Sequence, residues 1–158
     1  VGAGEVGLEQ DLAVLLDLAS RRVVGWAVQR TPTVDLVEAA LRQALPRVRR
    51  PARLIHHSDR GIQYASPRFR ARLAQLGIQS SMSRRANCWD NAVAESFFSS
   101  LKKERIKKQI YKNREIAVTD VADYIDAFYN RIRRHSHLGG LSPEQFEAAH
   151  KARRQRLH

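Results

Sequence analysis

Two carboxylates stand out for where the sequence puts them. Asp59 lies in Ser58-Asp59-Arg60-Gly61, a polar turn that follows the apolar run Arg53-Leu54-Ile55-His56-His57, and Glu95 lies in Ala94-Glu95-Ser96-Phe97-Phe98. Thirty-five residues separate them. A carboxylate at the tip of a rigid element suits a hard cation that takes oxygen ligands. Two or three such groups can hold a pair of Mg²⁺ ions about 3.5 to 4 Å apart for in-line attack on a phosphate. The plainer alternative is that Asp59 caps a turn and Glu95 decorates a helix, because two acids without a third ligand define no metal site.

Short apolar runs at 12–18 and 23–28, separated by Ala19-Ser20-Arg21-Arg22, predict two antiparallel strands joined by a tight turn. Val34, Val37, Leu41, Ala44 and Leu45 recur at helical spacing after Thr31-Pro32, with Asp35 and Glu38 early, where the helix dipole favours negative charge. The run before Asp59 reads as a buried strand. Ser66-Pro67 starts a helix that carries Phe69, Leu73 and Leu76 and stops at Gly77, and 78–82 is one more short strand. Asp90 or Asn91 can cap the helix bearing Glu95. Val121, Tyr124, Ile125, Phe128, Tyr129 and Ile132 are spaced for a long amphipathic helix, and Ser142-Pro143-Glu144-Gln145 is a capping-box start. Residues 1–10, VGAGEVGLEQ, hold three glycines and read as a loop-like, atypical leader. The whole is a mixed α/β layer architecture.

The chain has 158 residues and is 43% apolar, enough for one domain with a real core. Its 28 Lys and Arg against 16 Asp and Glu give a formal charge of +12, so its natural partner is a polyanion. No apolar run approaches the ~20 residues that span a bilayer, and the expectation is a cytoplasmic, nucleoid-associated protein with no membrane partner. Seven of the fourteen residues from Leu101 to Arg114 are basic. Lys102 lies two helical turns beyond Glu95 on roughly the same face, where it could hold a phosphate, with Lys103 beside it. Arg84 and Arg85, in the loop before that helix, are similarly placed to meet DNA. His56, His57, His135 and His137 match no compact zinc spacing, and His56 and His57 are expected to pack behind Asp59. The single cysteine, Cys88, reads as buried and structural. Trp26, Phe69, Phe97, Phe98, Tyr124, Phe128 and Tyr129 fit apolar stripes and read as core, whereas Trp89 sits in a polar loop that it could order over a substrate.

His56-His57-Ser58-Asp59-Arg60-Gly61-Ile62-Gln63-Tyr64 and Asn87-Cys88-Trp89-Asp90-Asn91-Ala92-Val93-Ala94-Glu95-Ser96-Phe97-Phe98 resemble the signature blocks of OrfB-type transposases of bacterial insertion sequences. Tyr129-Asn130-Arg131, Arg134-His135-Ser136, Leu138-Gly139 and Leu141-Ser142-Pro143 resemble that family's C-terminal block, and the likeness runs from about residue 12 to 150. It implies an RNase H-like integrase core with a mixed sheet flanked by helices. It also implies a triad of acids holding two Mg²⁺ (or Mn²⁺) ions, in which Asp59 matches the second acid and Glu95 the third. The partners implied are DNA, as element ends and target duplex, and further copies of the chain.

The departures are Ala86 and Gly140, where the family usually has a glycine and a bulkier residue, and the first acid. In the family that acid lies on a strand upstream of the hairpin, in a Thr-Asp-Ile-Thr context that does not occur here. Asp17 matches a non-catalytic position, Asp11 falls where an aromatic is usual, and Glu5 or Glu9 could serve only if the leader folded as a strand. The expectation is a chain truncated at its N-terminus, with that first strand missing or replaced. It would comprise a leader at 1–10, a core at 11–150 and a basic tail at 151–158. Three functions follow: a metal-dependent DNA transposase core, inactive as it stands; a non-catalytic DNA-binding remnant; or a structure-specific nuclease.

Overall fold

The computed structural model describes residues 2–5, 10–48, 54–82 and 91–156. Strands β1 (Gly2–Glu5), β2 (Asp11–Leu16) and β3 (Val23–Gln29) form a three-stranded antiparallel sheet with β2 at its centre. Strands β4 (Ile55–Ser58) and β5 (Gln79–Met82) form a separate parallel pair. The mixed pairing that the sequence predicts is therefore divided between two sheets. Helices α1 (Val34–Ala44), α2 (Ile62–Ala65), α3 (Pro67–Gln75), α4 (Ala92–Glu104), α5 (Arg114–Asp123) and α6 (Pro143–Gln155) complete the order.

The loop reading of the leader is corrected: Gly2–Glu5 pairs with β2 in a register that sets Gly2 against Val14 and Glu5 against Asp11. Glycine weakens a strand by its backbone entropy, but hydrogen bonds to the edge of β2 outweigh that local preference. A strand thus does stand before the hairpin.

Strand β2 feeds both faces of the sheet, because successive side chains point to opposite sides. Ala13 and Leu15 join Val24, Leu36, Val37, Leu41, Phe69 and Leu73 on the face covered by α1 and α3. Leu12 and Val14 join Val23, Phe97, Leu101, Val121, Tyr124 and Tyr129 on the face covered by α4 and α5. Phe69, Phe97, Tyr124 and Tyr129 are buried as expected, and Trp26, Phe98 and Phe128 pack against the second cluster partly buried. Helix α1 approaches β3 closely only because residue 25 is glycine: a Cβ there would stand 2.2 Å from the carbonyl oxygen of Ala40.

Other expectations shift in detail. The turn after β2 spans Asp17 to Arg22, and the Asp17 carboxylate accepts the backbone N–H groups of Ala19 and Ser20, each at 2.8 Å, so Asp17 serves the turn. The long helix over 121–132 is α5 followed by a π-helical stretch, Tyr124–Tyr129, which widens the turn where three aromatic rings enter one core. Helix α2 is one short turn between Gly61 and Ser66 that apolar periodicity does not reveal. Asn91 holds the N-cap position of α4 without a side-chain cap bond, and Asp90 lies outside the described residues. The capping box at Ser142 is present, with Ser142 and Gln145 bonded reciprocally. Helix α6 then continues through position 151 to Gln155, because Ala148, Ala149, Lys151, Ala152, Arg153, Arg154 and Gln155 are all strong helix formers.

The C-terminal segment is clamped to β3. The Asn130 side-chain amide accepts from the Val23 N–H at 2.9 Å and donates to the Val23 carbonyl at 3.0 Å, buried. Arg22 bonds Glu147 at 2.7 Å, and the Ser20 hydroxyl donates to the same carboxylate at 3.0 Å.

Candidate active site

Asp59 directly follows β4, whose inner residues His56 and Ser58 are buried. Its Oδ1 accepts the Gly61 N–H at 2.8 Å, which fixes the carboxylate against the turn. The Ser58 hydroxyl donates to the Asp59 carbonyl at 3.0 Å. A β-carbon on Gly61 would lie 2.9 Å from Asp59 Oδ1, so a side chain here would push the carboxylate from this position.

Behind Asp59 stands an aromatic cluster. The His56 ring lies 5.3 Å from Phe69 and 6.3 Å from Tyr64, which itself lies 6.1 Å from Phe69. Burial pushes His56 down to about 4, so the ring is neutral near pH 7. Burial first, and then the negative charge of Asp59, pushes the Tyr64 hydroxyl well above its ordinary range. This is the packing role expected of His56, and His57 is held by its Nδ1 against Ser81 Oγ at 3.1 Å.

Glu95 occupies the first turn of α4 and is exposed. Ala94, Phe97 and Leu101 are the buried side of that helix, and Glu95, Lys102 and Lys103 lie on its exposed side. No ion pair among the described residues engages Lys102 or Lys103. Farther along, Arg105 is drawn away to Asp120 at 2.9 Å and Asp123 at 3.2 Å. Arg84, Arg85, Ala86, Cys88 and Trp89 lie outside the described residues.

Strand β4 and the start of α4 line a common cavity of about 320 Å³. Ile55, His56 and His57 line it from one side, and Asn91, Val93 and Ala94 line it beside Leu15, Leu16 and Asp17. The two carboxylate-bearing elements thus converge, although Asp59 and Glu95 are not themselves among its lining residues. Among the described residues no group of three His, Cys, Asp or Glu side chains stands close enough to hold a metal ion. Carboxylate oxygens fit the chemistry of a hard cation, but two of them do not make the two-ion site.

Sequence reading missed the Glu104 cluster. Arg133 donates to both oxygens of Glu104 at 2.8 to 3.1 Å and to Ser100 Oγ at 3.0 Å, and the Tyr124 hydroxyl donates to Glu104 at 2.7 Å. The partners lie 20 to 33 residues apart in the chain, so no local spacing signals them.

Residues 7–88 match the integrase core domain family, and residues 95–150 match a second integrase core domain description. The chain is 49% identical over 136 residues to the transposase InsF of insertion sequence IS3A from Escherichia coli K12, covering 86% of this chain and 47% of that protein. It is 44% identical to a 31 kDa protein of insertion element IS600 from Shigella sonnei, covering 85% of this chain and 50% of that protein. The chain therefore spans about half the length of the curated relatives it matches. The fold is similar to the catalytic core domain of BIV integrase, with a TM-score of 0.68 at 20% identity over 96% of this chain and 94% of that one. A simian T-cell lymphotropic virus intasome, in complex with the PP2A regulatory subunit B56 gamma, gives 0.70 at 18% identity over 87% of this chain and 48% of that one. The HTLV-2 integrase catalytic core domain in complex with magnesium gives 0.63 at 16% identity over 87% and 84%. With the RNase H-like fold, the Asp59 turn and the Glu95 helix in place, the chain belongs to the integrase core domain family.

Proposed function

We propose that this chain is the catalytic core of a DNA transposase, which cleaves DNA and transfers strands with the help of divalent metal. Asp59 and Glu95 are its metal ligands. The observation that carries the reading is that β4, which Asp59 directly follows, and the first turn of α4, which bears Glu95, line one cavity. Mg²⁺ or Mn²⁺, when bound, supplies charge that activates a hydroxyl and stabilises the leaving oxygen at a phosphodiester. The chain's own residues hold the reactants: the Gly61 N–H orients Asp59, and Lys102 and Lys103, with Arg84 and Arg85, meet phosphates next to the carboxylates. The cellular setting is the bacterial cytoplasm and nucleoid, and active assemblies contain several copies.

A third acid decides between this reading and that of a DNA-binding remnant. Glu5 is the first candidate, because it lies on β1 opposite Asp11. The test is joining of a precut element end to a target duplex in Mg²⁺ by the chain as it stands and by its Glu5→Gln, Asp59→Asn and Glu95→Gln variants. Joining that all three substitutions abolish supports a complete site. DNA binding without joining, unchanged by the substitutions, identifies the remnant.

A further inference from the structure

Helix α6 starts well anchored and ends bare. Ser142 and Pro143 are buried at its base, and Glu144 and Glu147 are occupied by Arg22, with Ser20 also on Glu147. From Ala148 onward every described residue of the helix is exposed. That stretch carries Lys151, Arg153, Arg154 and Arg156 and no acid, and none of the four joins an ion pair among the described residues.

Such an end is poorly stabilised alone. Packing of an apolar face supplies most helical stability in proteins, and this stretch buries no residue, its one ring contact being His150 on Phe146 of the same helix. Lys151 and Arg154, three apart, are neighbours on the helix surface and repel each other, while Arg153 and Arg154 favour the negative end of the helix dipole. A row of phosphates would remove the repulsion and leave the dipole contribution. A second copy of a chain with net charge +12 would add to it.

We infer that the exposed end of α6 is a second DNA-binding surface, which grips the phosphate backbone and adds affinity without touching the reacting phosphate. The inference rests on the reading that this chain acts on DNA. Its anchor is the β2–β3 turn at Ser20 and Arg22, so the surface is carried by a different element from those that carry Asp59 and Glu95. At about 1.5 Å rise per residue, Lys151 to Arg156 spans roughly 8 Å, which matches about two phosphates along one strand. Contacts to phosphates carry no base preference, so binding here is independent of sequence.

The test is fluorescence anisotropy of a labelled random duplex, from 50 to 200 mM KCl, with EDTA present. The full chain is compared with a variant combining Lys151→Gln, Arg153→Gln, Arg154→Gln and Arg156→Gln, which keeps helix propensity. Each lost phosphate contact lowers the slope of log affinity against log salt by about 0.9, so the variant's slope is expected to be shallower by about 2. Between the two salt concentrations it then loses about tenfold less affinity than the parent chain. If the fourfold variant does not fold by circular dichroism, the pair Arg153→Gln and Arg154→Gln is expected to reduce the slope by about 1. An unchanged slope in a folded variant overturns the inference. Competition by poly-glutamate, charge for charge as effective as duplex, overturns it in favour of an acidic protein partner. Because no metal is present, failure of the joining assay with the slope change intact would sink the transposase reading and leave this surface standing.

Discussion

Gly61 donates its N–H to Asp59 Oδ1 at 2.8 Å, and a β-carbon on Gly61 would stand 2.9 Å from that same oxygen. The residue that orients the carboxylate is therefore also the one that cannot gain a side chain without moving it. Gly61→Ala is expected to leave the fold intact and weaken Mn²⁺ binding by about 10-fold or more, the range seen when groups that orient metal ligands are lost. Titration followed by electron paramagnetic resonance checks this, with Asp59→Asn as the lower limit. Unchanged affinity in Gly61→Ala would show that Asp59 is not a ligand or does not depend on the turn.

Burial holds His56 neutral, at about 4 against an ordinary 6.5. For a folded value below the unfolded one, stability is full above pH 6.5 and is lost as pH falls from 6.5 towards 4, where the unfolded chain takes up a proton that the folded one refuses. At about 1.4 kcal/mol per pH unit the loss reaches roughly 3 kcal/mol. Urea unfolding at pH 7 and pH 4.5 should show it, and His56→Phe, which keeps a ring against Tyr64 and Phe69, should flatten that part of the profile. An equally steep profile in His56→Phe would place the acid sensitivity elsewhere.

Gly25→Ala should destabilise the chain by about 1–3 kcal/mol or more, because the added carbon meets the Ala40 backbone oxygen at 2.2 Å and backbone cannot step aside as a side chain can. Denaturant midpoints of the two proteins give the difference. A shift below experimental error would mean that α1 slides easily on β3.

Asn130→Ala removes both bonds to Val23 and leaves a buried N–H and a buried carbonyl unmatched. The expected cost is about 2–3 kcal/mol. Asn130→Asp should be no milder, since a carboxylate cannot donate to the Val23 carbonyl. Hydrogen exchange at Val23 locates the effect: its amide should lose protection in Asn130→Ala, which removes its acceptor, and retained protection there would deny the clamp.

Much of this was legible in the chain itself. The alternation in Leu12-Ala13-Val14-Leu15 gives β2 its two buried faces, the helical spacing from Val34 to Ala44 gives α1, and Ser142 with Gln145 gives the start of α6, because each is a short-range pattern with a fixed period or offset. Asp59 after its strand and Glu95 in the first turn of its helix were legible for the same reason. The tertiary structure decided the rest. Gly2–Glu5 becomes a strand because the edge of β2 offers hydrogen bonds, which composition cannot register. The Tyr124–Tyr129 stretch is a π-helix that sets Tyr124 and Tyr129 in the core, which the apolar spacing alone does not distinguish from an α-helix. Asn130 finds Val23, and Arg133 finds Glu104, across 107 and 29 residues of chain, and only the folded backbone brings such partners within reach.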